Sequence, residues 1–358
     1  MFYAVLSFFI SFALCFLLTK LRVDSLIDRR NGIQKFHTWE ARRAGGIAIF
    51  ISLSITCFFS EYTKEGLLIL ISALPVFLGG LMEDITKRIS PKIRLAFAFL
   101  SGIIASIILE ANLQRVDIFF VDFLLENYLL FSILFTAFAL AGVSNAINII
   151  DGFNGLAAGV VIIVFLSYSY VSYTVGDEFL LFLNLVLLGS IIGFFLWNFP
   201  RGLVFLGDSG AYILGFLAGL VGVLLVNRHT EISAWFPFTL LFYPIWETLF
   251  SALRRKIVHG SEPTEPDIRH LHSLIYRRLI KPSLRKKYSP EMENSLTSPY
   301  LWLMQLLCTV PAVLFWDNTL LLILTCISFV FLYIWLYGSI VKFKAPFLLR
   351  ILMRVWIK

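Results

Sequence analysis

The sequence predicts an all-α polytopic membrane protein, on three observations. Of its 358 residues, 59% are hydrophobic and only 15% charged, where an ordinary soluble domain carries about 25% charged residues. Apolar runs that approach or exceed the ~20 residues of a spanning helix recur along the whole chain. These runs are continuous rather than alternating. That selects helices over a closed barrel, the other backbone arrangement that satisfies its own hydrogen bonds in lipid.

Eleven spans follow in order: 2–19, 44–60, 66–82, 94–110, 128–147, 155–174, 179–198, 210–227, 233–252, 300–316 and 319–341. The first run has neither a basic start nor an Ala-x-Ala exit, so it reads as a span rather than a cleaved leader. Pro237 and Pro244 should bend or break the ninth span. Between the fourth and fifth, residues 111–127 mix Val116, Ile118 and Phe120 with acids, which suggests a short strand or hairpin lying on the membrane. Of the 30 Lys and Arg residues, all but Lys64, Arg115 and Arg228 fall in the segments 20–43, 83–94, 198–209, 253–299 and 342–358. Positive charge marks the cytoplasmic side, so the N-terminus faces out and the C-terminus faces the cytoplasm. The basic tail supports an odd number of spans, since an even number would put it outside. One membrane domain fills residues 1–358, and the proline-containing stretch 253–299 is its long cytoplasmic loop. The net charge of +7 follows from this topology and from attraction to anionic lipid, and implies no nucleic acid. Cys15, Cys57, Cys308 and Cys326 all lie within spans without metal spacing, and predict packing residues, neither disulfide nor zinc.

Three carboxylates, Asp84, Asp151 and Asp208, sit at breaks in the apolar pattern on the same, cytoplasmic side. Acids gathered at one membrane face are costly and point to a site. Together they suit a divalent cation and a phosphate substrate. In the stretch 145–159, Asn145, Asn148 and Asp151 are spaced by three, which puts them on one face of a helix end. Gly152 and Gly155 allow close backbone approach, and the helix beginning near Asn154 would aim its positive end at an anionic phosphate. The bland alternative is that Asp151 or Asn154 merely caps a helix. In Gly207-Asp208-Ser209-Gly210 the same turn-then-helix arrangement recurs. Asp208 there is either a cap or one ligand of an octahedral Mg²⁺ that keeps waters and phosphates as its others. Glu83 and Asp84 are adjacent acids at a helix end, where they repel each other and the helix dipole unless Lys87 or a bound cation intervenes. His270 and His272 follow Asp267 in the basic loop and suit pyrophosphate binding or proton transfer better than zinc. Lys35, His37, Arg42, Arg43, Gly45 and Gly46 form a further basic, glycine-containing approach to the second span that suits phosphate binding, though orientation alone explains Arg42 and Arg43 equally well.

These motifs, in this order and on this face, resemble the polyprenyl-phosphate N-acetylhexosamine-1-phosphate transferase family, over nearly the whole chain from Gly45-Gly46 to His272. The family's Asp-Asp-x-x-Lys matches Glu83, Asp84 and Lys87, with Glu at the first acid. Its Asn-x-x-Asp-Gly matches Asn148 and Asp151, and its Gly-Asp-x-Gly aspartate matches Asp208. A second aspartate common in the following turn is Asn154 here, and the histidine motif is represented by His270 and His272. The eleven-span count resembles the branch that initiates O-antigen rather than the ten-span peptidoglycan branch. The resemblance implies a bacterial inner-membrane enzyme with its N-terminus periplasmic and its active site cytoplasmic. It would transfer an N-acetylhexosamine-1-phosphate from a UDP-sugar to undecaprenyl phosphate, release UMP and initiate a cell-envelope polysaccharide. Asp208, with Asp151, would hold Mg²⁺ (Mn²⁺ as the alternative). Asp84, Glu83 and Asp151 would be the catalytic acids. Asn145, Asn148, Asn154, Lys87, His270 and His272 would contact substrate. The sugar, the pathway and the oligomeric state stay open, with a homodimer as one candidate.

The rival from another class is a membrane transporter, which would carry its ionisable residues near the bilayer midplane in paired halves. No internal duplication is evident. Glu247 in the ninth span is the exception, and would line a cavity or pair with a cation. A CDP-alcohol phosphatidyltransferase also begins its signature with Asp-Gly, but continues into Ala-Arg and two later aspartates that residues 151–156 lack.

Overall fold

The structure, a computed structural model, describes residues 1–20, 24–28, 41–259, 269–284 and 288–342. Lys35, His37, Asp267 and nearly all of the basic tail 342–358 lie outside the described residues. The helices in chain order are α1 (Phe2–Lys20), α2 (Gly45–Phe58), α3 (Thr63–Thr86), α4 (Pro91–Ile108), α5 (Phe119–Asn127), α6 (Leu129–Ile150), α7 (Leu156–Thr174) and α8 (Glu178–Asn198). They continue with α9 (Gly207–Arg228), α10 (Trp235–Leu240), α11 (Phe242–Arg254), α12 (Leu271–Ile275), α13 (Lys281–Leu284), α14 (Pro290–Ser295), α15 (Ser298–Leu314) and α16 (Thr319–Val341).

Among the described residues, nine helices are long and apolar enough to cross a membrane: α1, α3, α4, α6, α7, α8, α9, the α14–α15 pair and α16. The chain is a multi-pass membrane protein. The other two apolar runs read from the sequence form shorter helices. α2 has 14 residues. The run 233–252 is divided at Leu241 into α10 and α11, between Pro237 and Pro244, where the missing proline N–H groups interrupt the helical ladder.

α9 is the axis of the bundle, with its apolar window wholly buried, while α1 and α16 are mostly turned outward. Without a hydrophobic drive between helices in lipid, close packing at small residues decides which helices touch. At Gly215 of α9 an added Cβ would lie 2.6 Å from the Cα of Ser144 in α6. The two helices meet at backbone distance there, which fixes the end of α6 relative to the start of α9.

One expectation needs correction. The stretch 111–127 holds no strand or hairpin; its second half is α5. Phe119, Phe120 and Phe123 are its exposed apolar face, and Asp122 accepts from Val116 N at 2.6 Å, which ties the incoming chain to the first turn. Helical spacing of the aromatics, rather than alternation, was the governing pattern. The fold also contains a small three-stranded sheet in the order β1 (Ile27–Asp28), β2 (Ala41–Arg43), β3 (Val204–Phe205). β2 runs parallel to β3 with Arg42 opposite Val204, and β1 runs antiparallel to β2. The ladder continues as Ala44 N donates to Phe205 O (3.2 Å) and Gly46 N to Leu206 O (2.9 Å). Non-helical backbone leading into α2 and α9 is thereby satisfied without water, and the two helix starts are locked side by side.

Candidate active site

The site grows from the start of α9. The first amides of a helix have no partner inside it and carry its positive end. Neither Asp208 nor Ser209 caps α9 with its own side chain. The cap comes from α3. The Asp84 carboxylate accepts from Asp208 N (2.9 Å), Ser209 N (2.9 Å) and Ser209 Oγ (2.6 Å), and is fully buried. The contact needs bare backbone. Gly207 adopts φ 75°, a conformation that L side chains rarely take, and a Cβ there would lie 2.7 Å from Asp84 Oδ2. A Cβ on Gly80, one turn before Asp84, would come within 2.5 Å of Ser209 Cα.

This clasp aims the Asp208 side chain away from its own helix end. Oδ1 of Asp208 accepts from Asn148 Nδ2 at 3.1 Å, and Oδ2 is paired with the Arg94 guanidinium. Arg94 also lies over the Tyr212 ring, 5.6 Å from its centroid, and Tyr212 donates its hydroxyl to Asn145 Oδ1 at 3.2 Å. The last turns of α6 thus present Asn145 and Asn148 to α9, as their spacing required. Asp151 is the residue that ends α6, with its N–H on Asn148 O (3.2 Å). Its carboxylate takes no hydrogen bond among the described residues. Burial pushes its carboxyl up to about 7; Arg43 opposes the rise and Asp84 adds to it. Arg43 in turn is 4.0 Å from Asp84. Four segments therefore converge: the end of α3, the end of α6, the start of α9 and strand β2, with Arg94 from α4 closing the side.

The histidines approach from the far side of the 151–155 loop. His272 meets the Phe153 ring edge-on (centroids 5.6 Å apart), and a Cβ on Gly152 would be 3.1 Å from His272 Nε2. His270 stacks on His272 with centroids 5.1 Å apart and planes 12° from parallel.

Three sequence-predicted residues turn elsewhere. Glu83 Oε2 accepts from Ile89 N at 2.7 Å, closing the loop between α3 and α4. Lys87, in the left-handed conformation that ends α3, donates its Nζ to Ile27 O of β1 at 2.6 Å. Asn154 is buried, with its amide on Ser295 Oγ (3.1 Å) and Pro200 O (3.4 Å) and its backbone N–H on Asn294 Oδ1 (2.8 Å). Gly155 N is held by Asn198 Oδ1. The amides before α7, which the sequence pattern offered to a phosphate, are thus engaged by asparagines.

Arg94 and Tyr212 were not legible as site residues. One signal was available for Arg94. It lies in the first turns of α4, capped by Ser90 with Pro91 at its first position, where the helix dipole disfavours a cation.

Residues 66–226 match the family described as Glycosyl transferase family 4. The chain is 31% identical over 244 residues to the probable undecaprenyl-phosphate N-acetylglucosaminyl 1-phosphate transferase of Bacillus subtilis, covering 67% of this chain and 66% of that protein. It is 30% identical over 280 residues to the undecaprenyl-phosphate alpha-N-acetylglucosaminyl 1-phosphate transferase of Thermotoga maritima, covering 78% and 81%. A phospho-N-acetylmuramoyl-pentapeptide-transferase of Streptococcus pneumoniae is 30% identical over 191 residues, covering 51% and 57%. The chain thus spans from just over half to about four fifths of the length of these relatives. The family match embraces the ends of α3 and α6 and the start of α9, and with the Thermotoga maritima relative it shows that the chain belongs to glycosyl transferase family 4.

Proposed function

We propose that the chain transfers an N-acetylhexosamine-1-phosphate from a UDP-sugar to a polyprenyl phosphate, with undecaprenyl phosphate as the acceptor. The named relatives support the acceptor and the reaction class. The observation that carries the reading is the α3–α9 clasp, in which Asp84 orients Asp208 beside Asn148 and Arg94. Eleven spans with an outward N-terminus would set this site at the cytoplasmic face of a bacterial inner membrane, where UDP-sugars are found.

In the reaction, an oxygen of the lipid phosphate attacks the β-phosphorus of the UDP-sugar. The bond from that phosphorus to the bridging oxygen breaks, and UMP leaves with the bridging oxygen. Polyprenyl-pyrophosphoryl-sugar stays in the membrane. Two phosphates must approach each other, so charge neutralisation and alignment dominate the barrier. The Arg94 and Arg43 guanidiniums face the acids here and supply fixed positive charge beside the pyrophosphate. Asn148 and Asn145 offer amides of defined direction to the donor. Asp151, which ends α6 beside Asn148, supports the donor and the cation at this face of the site. Asp84, whose oxygens are engaged by three donors, acts as the orienting acid rather than the proton acceptor.

The donor set fits Mg²⁺. Among the described residues no group of three or more His, Cys, Asp or Glu forms a closed metal cage. Mg²⁺ asks for one or two carboxylates and takes its remaining ligands from phosphate and water. Asp208 and Asp151 would hold it, and when bound it would neutralise the pyrophosphate charge. His270 and His272 bound the far side of the loop and suit the pyrophosphate, while Glu83, Lys87 and Asn154 act through the loops they secure. Nothing in the family membership supports the transporter.

The test is purified protein in detergent with undecaprenyl phosphate, Mg²⁺ and a panel of UDP-N-acetylhexosamines. The reading expects UMP and a pyrophosphoryl lipid with at least one sugar. No UMP from any member of the panel would overturn it.

A further inference from the structure

Glu247 is a buried acid that the reaction scheme leaves without a role. It lies in α11 and is fully buried in a segment otherwise dominated by apolar and aromatic side chains. A carboxylate there persists only if donors surround it. Oε1 of Glu247 is 3.0 Å from His270 Nδ1, accepts from Leu271 N at 3.1 Å and lies 3.5 Å from Ser251 Oγ. Oε2 accepts from the Tyr333 hydroxyl of α16. Ser251 Oγ is itself 3.0 Å from His270 Nδ1.

A carboxylate only accepts, so the ring nitrogen facing it must donate. That fixes the proton of His270 on Nδ1 and turns Nε2 away from α11. The same oxygen caps the first amide of α12, the five-residue helix that carries His272. Ring and helix start are thus set by one group. The histidine pair is held as a stacked unit against Gly152 and Phe153, next to Asp151.

We infer that Glu247 is a positioning residue for the transfer reaction: through His270 and the start of α12 it sets the tautomer and orientation of the histidine pair that faces the 151–153 loop. The inference rests on the proposed function for its catalytic consequence. Its structural half, the tautomer, stands apart from turnover.

Glu247→Gln keeps size and one acceptor, but its amide can turn an NH₂ toward His270 and allow the other tautomer. Histidine-selective ¹⁵N NMR on the full chain, with His270→Gln assigning the signal, should show Nδ1–H for His270 in the wild-type protein. Both tautomers should appear in Glu247→Gln. UMP release should fall about 10- to 100-fold in kcat, the scale typical of losing an orienting carboxylate behind a functional histidine. KM for the UDP-sugar should change far less. Glu247→Asp should recover part of the rate. Tyr333→Phe, which leaves the carboxylate on His270, should keep the Nδ1–H tautomer. An Nε2–H tautomer in the wild-type protein would overturn the inference. So would a Glu247→Gln enzyme of full activity, or one that loses activity and thermal stability together while the tautomer is unchanged. A wild-type protein that carries Nδ1–H on His270 but releases no UMP would refute the proposed function and leave the positioning geometry intact.

Discussion

Replacing Asp84 by Asn isolates what its carboxylate does for α9. In the wild-type protein the two oxygens receive Asp208 N, Ser209 N and Ser209 Oγ, all within 2.9 Å. An Asn side chain offers one acceptor oxygen and sets an NH₂ against the remaining backbone N–H. One charge-assisted bond is lost, about 1.5–3 kcal/mol, and one buried donor is left unmatched, about 1–3 kcal/mol. Relief from burying a charge returns part of this. A net loss of about 2 kcal/mol corresponds to a roughly 30-fold larger open population of the turn. Ser209→Ala removes only the hydroxyl's bond to the carboxylate, about 1.5 kcal/mol or roughly tenfold. Hydrogen exchange of the peptide containing Asp208 and Ser209, measured in detergent or nanodiscs, should accelerate in that order. UMP release should fall in the same order, because Asp208 loses its aim as the turn opens. If Asp84→Asn abolishes turnover while these amides exchange at the wild-type rate, the carboxylate acts on substrate and the orienting role is wrong.

Further outcomes follow from the same geometry. Asp208→Asn should abolish Mg²⁺-dependent UMP release, and near-normal turnover would refute the cation assignment. Arg94→Gln removes the guanidinium from Asp208; the Mg²⁺ concentration for half-maximal UMP release should fall several-fold while kcat drops, and an unchanged requirement would show that Arg94 and the cation do not share Asp208. Asn198→Ala strips the acceptor from Gly155 N and the donor from Val204 O, a loss of about 1–3 kcal/mol for each buried group left unpaired, readable as a lower thermal midpoint in detergent. At the far end of α9, burial raises the Asp117 carboxyl, but Thr319 Oγ1, Arg115, Ala234 N and Ser233 Oγ outweigh it and hold the group below its ordinary value. A depressed carboxyl stabilises the fold above its unfolded pKa and loses that contribution as the pH falls through the folded value. The thermal midpoint should therefore drop below about pH 4, with a smaller drop in Asp117→Asn; equal drops would remove Asp117 as the cause.

The parts legible in the sequence were those that lipid makes expensive. Asn145 and Asn148 could not share a face of a spanning helix without polar partners, and α9 supplies them through Tyr212 and Asp208. Long apolar runs located the nine long helices among the described residues for the same reason. What pattern could not reach was pairing between distant segments. Asp84 and Asp208 looked like two independent acids, yet one caps the helix that carries the other across 124 positions of sequence. The parallel pairing of β2 with β3 depends on two segments of two or three residues, too short to bear a periodic signal. Asn154 shows the limit from the other side. Its position in a motif marked it as a ligand, but its partners are Pro200, in the loop after α8, and Asn294 and Ser295, which the docking of α14 brings near. Arg94 and Glu247 broke local rules, one as a cation in the first turns of a helix and the other as an acid in an apolar segment, and they sit against two of the candidate site residues, Asp208 and His270.

The central claim is phosphoryl transfer at the clasp of α3 and α9, and the fate of the two donor phosphates tests it most directly. UDP-N-acetylglucosamine labelled separately at the α- and β-phosphorus should be incubated with the protein, undecaprenyl phosphate and Mg²⁺, and the aqueous and lipid fractions counted. The account predicts the β-label in the lipid and the α-label in UMP, with both transfers lost in Asp208→Asn. Release of both labels together as UDP, with the sugar alone on the lipid, would contradict it.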